Sequence, residues 1–153
     1  MTKKYIIAAA LLFMLAGPAI AELALNTRLA MADIENDRKT IILATVDPTP
    51  EQSKKFWKTY DAFRGEMNEL NTEVAKMTEE YVASYASLND EQAKRMLNDL
   101  TKIEVKKTTI RSKYAKKLGK ILTPLQLVHW LQTENKMNAV INFAALATIP
   151  MDR

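Results

Sequence analysis

Few residues of this chain have side chains that could do chemistry. Its 153 residues include no cysteine and a single histidine, His129. A chain without cysteine has no disulfide, thiolate zinc site, iron–sulfur cluster or c-type haem attachment. One histidine is also too few for the usual multi-histidine zinc or copper sites. We therefore expect no metal centre and no cofactor.

A b-type haem is a remote alternative, because the sequence offers one pair of ligands for it. Met31 and His129 fall in the first and last of the helices predicted below, which are suitable places for a methionine and a histidine ligand in a four-helix bundle. The helical spacing, however, places His129 in a polar row that faces away from Trp130 and the other apolar residues of its helix. We therefore expect His129 to point to solvent. The other members of the polar row are Gln126, Gln132, Thr133 and Lys136.

The sequence contains no pattern typical of an enzyme. It has no serine–histidine–aspartate set on a recognisable elbow and no glycine-rich phosphate loop. It also lacks a pair of carboxylates flanked by an obvious cleft. We therefore expect a binding protein rather than a catalyst.

The basic residues are concentrated in one segment, which makes it the candidate binding surface. Residues 94–120 contain ten lysines and arginines against two acidic residues, although the whole chain has a formal charge of only +4. Lysines next to apolar side chains would suit acidic, partly apolar protein clients. The small total charge gives no support to nucleic-acid binding. The candidate client-binding residues are Lys106, Lys107, Ile110, Arg111, Lys113, Tyr114 and Lys117.

A solvated charged face explains the same basic segment equally well. Acidic residues of the preceding helix, such as Glu66 and Glu73, could pair with some of the lysines. Lys107 favours the binding interpretation because its position falls in the apolar stripe of its own helix. Both interpretations remain open from the sequence.

The first 21 residues have the features of a cleaved signal peptide. Lys3 and Lys4 precede an apolar stretch at 5–15, and small residues at 19 and 21 suit signal peptidase, so we expect cleavage between Ala21 and Glu22. The apolar stretch is shorter than the roughly 20 residues that span a bilayer, and no cysteine is present for a lipid anchor. We predict a periplasmic mature protein, residues 22–153, that folds as one domain and has no stable membrane anchor.

Three short patterns predict the starts of helices. Each has a capping residue followed three positions later by glutamine, which is the capping box that satisfies free N–H groups of a first helical turn. Two of the boxes also place proline at the first helical position, where no N–H is needed. The repetition suggests either a duplicated helical unit or independent helix starts. The pairs are Thr49 and Gln52, Asn89 and Gln92, and Thr123 and Gln126.

The apolar spacing predicts an all-α fold built around a long antiparallel helical hairpin. From Phe56 to Tyr81 large apolar residues recur at alternating steps of four and three, which predicts a helix over about 51–87. A matching stripe predicts a helix over about 90–118, and so short a connection requires the two helices to run antiparallel. Flanking helices are predicted over about 26–44 and 124–148. The apolar segment 140–146 favours burial against another helix, which the second subunit of a homodimer would supply.

One of these helix starts also resembles the motif of a known family. The segment Leu122-Thr123-Pro124-Leu125-Gln126 matches the LTxxQ motif of the Spy/CpxP family of periplasmic stress proteins. The segment Leu88-Asn89-Asp90-Glu91-Gln92 differs from the motif only in having asparagine for threonine, while the first site keeps Thr49 and Gln52 but lacks the leucine. The resemblance covers nearly the whole mature chain and implies a curved, all-helical homodimer with a basic concave face.

The resemblance also implies a function. Spy-like members hold unfolded proteins without ATP, and CpxP-like members additionally restrain a membrane sensor kinase. We therefore expect an ATP-independent envelope chaperone or stress protein that binds unfolded or acidic proteins. The alternative is a regulatory adaptor that binds one envelope sensor protein.

Overall fold

The structure, a computed structural model, describes residues 32–146, and these residues form four helices. Helix α1 occupies residues 32–46, and α2 spans Pro50–Ser84. A 3₁₀ turn at Tyr85–Ser87 leads into α3, Asp90–Leu118, which is followed by α4, Pro124–Leu146. These residues contain no strand, and the prediction of an all-α fold is confirmed. The predicted signal peptide, Met31 and the predicted helical residues beyond 146 lie outside the described residues.

Helix α2 is shorter than the sequence predicts, because its last turn tightens into the 3₁₀ conformation. The Ser84 hydroxyl donates to the carbonyl of Glu80 at 2.7 Å, and the Ser87 hydroxyl donates to the carbonyl of Ser84 at 3.2 Å. Such back-bonding serine side chains compete with the regular helical ladder. The turn reverses the chain within a few residues and places α3 beside α2.

All three predicted capping boxes are formed. The Thr49 and Asn89 side chains accept from the backbone N–H groups of Gln52 and Gln92, and both glutamines return a bond to the cap. The Thr123 side chain accepts from the Gln126 N–H at 3.3 Å, and the Gln126 side chain accepts from the Thr123 N–H at 2.9 Å. The three predicted helix starts are therefore confirmed at the level of individual hydrogen bonds.

Aromatic side chains fill the core of the base of the hairpin, by which we mean the end formed by the start of α2 and the end of α3. Phe56, Tyr60 and Phe63 of α2 are buried there. The Phe63 ring meets Tyr114 of α3 at 5.5 Å between centroids and Trp130 of α4 at 5.3 Å. Helix α1 closes this core with Ile42 and Val46, which are also buried. The base is thus four helices thick.

The distal half of the hairpin, residues 71–102, has no buried side chain. Its seam residues Val74, Met77 and Tyr81 are only half-buried, although they continue the apolar spacing of the base. Two helices alone cannot enclose an apolar seam, and the core contacts of α1 and α4 are made with the base. The hairpin therefore changes from a packed bundle into a two-helix arm.

The polar row predicted around His129 is only partly exposed. His129 is exposed, as predicted, but Thr133 of the same row is buried, and Trp130 is fully buried. Trp57 is half-buried beneath α1, with the Lys39 ammonium 5.8 Å from its ring centroid. None of the helices in the described range is both long and apolar enough to cross a bilayer.

The end of α4 leaves apolar side chains uncovered in the single chain. Phe143 is 78% exposed and Val140 is 47% exposed. The sequence predicted that this end is buried against a second subunit, so we expect the protein to sediment as a homodimer at tens of micromolar. Replacing Phe143 by glutamate should raise the dimer dissociation constant at least about tenfold, because buried aromatic anchors dominate interfaces.

The control for that experiment is Leu125→Glu, which changes an exposed apolar residue of the same helix at its other end. Equilibrium sedimentation of the three proteins gives their association constants. A wild-type protein that remains monomeric would contradict the dimer, and an equal effect of both substitutions would place the interface elsewhere.

Candidate functional site

The basic helix α3 is partly neutralised by acidic residues of α2. The Lys106 ammonium lies 3.4 Å from the Glu73 carboxylate, and the Lys113 ammonium forms an ion pair with Glu66. Because the partners step in opposite directions along the two helices, the pairs also show that α2 and α3 run antiparallel. For these two lysines the structure therefore agrees with the solvated charged face, one of the two interpretations that the sequence leaves open.

Tyr114 is a core residue rather than part of an accessible surface, which corrects its placement among the candidate contact residues. It is 2% exposed, and its hydroxyl donates to the Glu66 carboxylate at 2.7 Å. Burial, the hydrogen bond and the charge of Glu66 raise the pKa of Tyr114 to about 12. Ile110 packs half-buried against the same core. The prediction for Tyr114 is wrong because lysines beside an apolar stripe do not prevent the stripe from being covered by the neighbouring helix.

The lysines near the stripe reach solvent by extending along the protein surface. The Lys107 side chain is 22% exposed, and its ammonium lies 3.1 Å from the Glu104 carboxylate. Arg111 donates to the side chain of Asn135 on α4. Lys117 lies 4.7 Å from the centroid of the Tyr114 ring. Long basic side chains commonly cover apolar surface in this way, and the seven predicted residues do not make one continuous binding face.

An open groove runs between α2 and α3 in the distal half of the hairpin. It has two adjoining parts, of about 570 and 300 Å³, which share Met77 and Asp99. Met96 and Leu88 add apolar surface to the larger part, next to the 3₁₀ turn. The groove forms where the seam continues beyond the core of the base, so that its side chains are only half covered. We call it the distal groove.

The methionines of the chain divide between the core and this groove. Met67 and Met137 are buried in the core. Met77 and Met96 are half-buried and line the distal groove. The apolar seam continues beyond the part of the hairpin that the flanking helices contact. This continuation is the sequence signal that could have indicated the site.

Charges of both signs line the distal groove. The Lys102 ammonium lies 2.8 Å from Asp99, and the Arg95 guanidinium lies 3.8 Å from Glu91 just outside the groove. The groove therefore has little net preference for acidic ligands, and most of its affinity should come from apolar contact. The charged residues along the groove are Glu73, Lys76, Glu80, Arg95, Asp99, Lys102 and Lys106.

Other apolar side chains of the hairpin are exposed without lining the groove. Leu97 is 64% exposed and Val105 is 63% exposed, while Leu100 and Val82 are each close to half exposed. Single exposed apolar residues are ordinary on protein surfaces.

The first and third capping boxes are joined to each other at the base of the hairpin. The side-chain amides of Gln52 and Gln126 exchange two hydrogen bonds of 3.1 Å. The second donor hydrogen of Gln52 bonds to the Ile121 carbonyl at 2.9 Å, and that of Gln126 bonds to the Asp47 carbonyl at 3.0 Å. Each glutamine thus donates to the carbonyl that lies two residues before the cap of the other box, since Ile121 precedes Thr123 and Asp47 precedes Thr49. The joint has local pseudo-twofold symmetry, which favours a duplicated unit.

These motif residues therefore have a structural task. Every donor and acceptor of the two amides has a partner, as a buried polar network requires. Asp47 has φ 46°, a left-handed conformation that aspartate tolerates and that ends α1. Leu122 of the same motif is buried, while Asn89 and Gln92 form only their own box at the far end of the hairpin.

An ionic network attaches α1 to α2 and α4, and no sequence pattern indicated it. The Arg38 guanidinium donates to Glu134 at 2.9 Å and to the two oxygens of Glu35 at 3.0 and 2.7 Å. Tyr60 donates to the other oxygen of Glu134 at 2.8 Å. Arg64 donates to Glu35 at 2.9 Å. The Arg38–Glu134 pair is buried, whereas the Glu35 side chain is 42% exposed at the edge of the network.

This network should make the stability of the fold sensitive to acid. Burial raises the pKa of Glu35, but hydrogen bonds and charges from Arg38 and Arg64 outweigh that effect, and the pKa lies below its usual value of 4.5. A lowered folded-state pKa stabilises the fold above the unfolded pKa, and the stabilisation is lost as pH falls through the folded pKa. We expect the free energy of unfolding to decrease below about pH 4.5.

Urea unfolding at a series of pH values measures this decrease. Glu35→Gln should be less stable than wild type at neutral pH and should lose less stability on acidification. If the curves of the two proteins stay parallel down to the acid transition, Glu35 is not the group responsible.

The described residues contain no group of three or more histidine, aspartate or glutamate side chains placed to hold a metal ion. Comparison of the chain with protein-family models, with curated proteins and with solved structures gives no match.

Proposed function

We propose that this protein holds non-native polypeptides in the distal groove without using ATP, as a chaperone of the bacterial periplasm. The observation that carries the proposal is the distal groove, whose lining includes Met77 and Met96, in a half of the hairpin where no side chain is buried. It is open to solvent, so capture needs no opening step. The Spy/CpxP resemblance of Leu122–Gln126 and the signal-like leader support the assignment.

The chemistry of the groove suits many ligands rather than one. Methionine side chains are flexible and polarisable, so they adapt to apolar surfaces of different shape. Charges of both signs along the groove can meet either sign on a client, which favours breadth over selectivity. Release would follow when the client buries its own apolar residues by folding.

Suppression of aggregation tests this function. Two unrelated chemically denatured proteins, one acidic and one basic, are diluted into buffer with the purified protein, and light scattering is followed. A chaperone should protect both. The adaptor that the sequence left as an alternative should protect neither, because it recognises one folded partner.

Substitutions then locate the site. Met77→Gln with Met96→Gln keeps side-chain length and helix propensity but removes apolar groove surface, and we expect at least about fivefold weaker protection. The matched control is Leu125→Gln with Val128→Gln, which changes two exposed apolar residues of α4. The basic-face hypothesis is tested by Lys107→Gln, Arg111→Gln and Lys117→Gln combined.

We expect the α4 control and the triple basic variant to protect as well as wild type at physiological salt. Added salt should also change protection little, because apolar contacts are not screened. If the triple basic variant loses most of its protection while the Met77→Gln, Met96→Gln variant protects as well as wild type, the site is the basic face of α3 and the proposal is contradicted.

A further inference from the structure

The base of the hairpin has an excess of lysine that nothing in the described residues neutralises. Along the distal part of α3, Lys106 and Lys113 meet acidic residues of α2. Toward the base, α2 has lysines instead of glutamates at the corresponding positions. We call this exposed set the base patch, and its members are Lys54, Lys55, Lys58, Lys116, Lys117 and Lys120.

Helix geometry places two of these lysines on one flank of the hairpin. Lys55 lies on the same side of α2 as Glu66, eleven residues along, which corresponds to about three turns. Lys117 follows Lys113 by four residues on the same side of α3, and Lys113 pairs with Glu66. The other four lysines are exposed at the same ends of the two helices, with Lys120 in the turn that follows α3. The contact of Gln52 with the Ile121 carbonyl at 2.9 Å joins the two helix ends at the base.

No member of the base patch forms an ion pair among the described residues, and only Lys117 contacts an aromatic ring. The acidic residues nearest along the chain are Glu51, which is exposed and makes no ion pair in the described range, and Asp61, which pairs with Lys39 at 2.7 Å rather than with the patch. Six like charges at one end of a small protein repel each other. A partner that supplies negative charge would remove that repulsion.

We propose that the base patch docks the protein on the anionic headgroup surface of a lipid bilayer. Lysine ammonium groups act as unspecific point charges, whereas defined carboxylate or phosphate recognition usually involves the arginine fork, and the patch contains no arginine. Leu125, which is 65% exposed, begins α4 close to Lys120 and can enter the interface. The distal groove lies at the opposite end and would face away from the membrane, free to bind clients.

A peptide ligand fits the patch less well. Binding of a peptide usually requires pockets for its side chains, and both parts of the distal groove lie away from the base. A row of solvated lysines on the outside of two helices instead resembles polybasic segments, which bind acidic membranes by charge alone.

Vesicle co-sedimentation tests the proposal, with protein produced from Glu22 onward so that the apolar segment 5–15 is absent. Vesicles of phosphatidylglycerol with phosphatidylcholine are compared with vesicles of phosphatidylcholine alone. We expect binding to the anionic vesicles only, and its loss at high salt. Circular dichroism and thermal melting verify that every protein is folded.

The test variant combines Lys55→Gln, Lys58→Gln, Lys116→Gln and Lys120→Gln. Each lysine near an acidic membrane contributes roughly fivefold to partitioning, so we expect binding to fall at least about tenfold. The charge-matched control replaces four basic residues outside the base and should change binding less than about twofold. It replaces Lys94, Lys102, Lys106 and Lys136 by glutamine.

Three results would overturn the proposal. Wild-type protein could fail to bind anionic vesicles. The test and control variants could lose binding equally, which would mean that net charge rather than the base patch is responsible. Finally, the patch could bind polyglutamate in a titration while ignoring vesicles, which would make the partner an acidic polypeptide. Aggregation suppression by the base variant is independent of all three.

Discussion

Arg38→Met will lower the free energy of unfolding by about 3 to 5 kcal/mol, which is the usual effect of removing one partner of a buried ion pair. Arg38 and Glu134 have side chains that are 4% and 1% exposed, and their charged atoms lie 2.9 Å apart. Without Arg38, the Tyr60 hydroxyl is the only partner left for the Glu134 carboxylate among residues 32–146. Methionine has similar length and good helix propensity, so the effect will come from the charge.

The double variant Arg38→Met with Glu134→Leu is the control. It removes both charges, and apolar replacements of a whole buried pair are often neutral or stabilising. We expect the double variant to regain most of the lost stability, although Tyr60 then lacks its acceptor. Urea unfolding followed by circular dichroism gives the values. A double variant that is less stable than Arg38→Met alone would show that packing, rather than charge pairing, is the role of Arg38.

Gln126→Ala will have the second largest effect, a loss of about 2 to 4 kcal/mol. The Gln126 side chain makes four hydrogen bonds, two with Gln52 and one each with the Asp47 carbonyl and the Thr123 N–H. A net contribution of about 1 kcal/mol per bond, reduced by partial exposure, gives the expected range. The loss separates the end of α1 from the start of α4.

Gln92→Ala is the matched control because Gln92 forms the same capping box without a second box beside it. We expect it to cost about 1 kcal/mol or less. A double-mutant cycle on Gln52 and Gln126 should give a coupling energy above 0.5 kcal/mol, as contacting residues in one network usually do. Equal losses at positions 92 and 126 would mean that the joint between the two boxes adds nothing beyond helix capping.

The hairpin and the helix starts could be read from the sequence because both depend on local spacing. Capping needs only the few residues around each box, and the seam from Phe56 onward needs only one helical period. The start of α3 at Asp90 and its end at Leu118 agree with the prediction. The end of α2 did not, since the 3₁₀ turn depends on serine hydroxyls whose choice of partner the periodicity does not contain.

The ionic network could not be predicted because its members are far apart in the chain. Arg38 and Glu134 are separated by 96 positions, and each looks like an ordinary exposed charge in its own helix. Only the packing of α1 between α2 and α4 buries them together. The burial of Tyr114 also depends on tertiary packing. The apolar stripe of α3 predicts the position of Tyr114, but its exposure depends on Phe63 across the hairpin.

The candidate site in the structure differs from the one predicted from the sequence for a related reason. The density of lysine in α3 is visible in the sequence, but its neutralisation by Glu66 and Glu73 is a property of the antiparallel register. The distal groove depends on where the contacts of α1 and α4 with the hairpin end, since Met67 and Met77 lie on the same seam of α2 but only Met67 is buried, while Met77 is half-buried. Spacing alone treats the two methionines alike.

Methyl-labelled methionine NMR tests the central claim, the capture of non-native polypeptides in the distal groove, most directly. The methyl signals are assigned by single Met→Leu substitutions, and a destabilised, soluble client is then titrated in. We expect the signals of Met77 and Met96 to shift or broaden while those of the buried Met67 and Met137 stay in place. Client binding with unchanged Met77 and Met96 signals would contradict it.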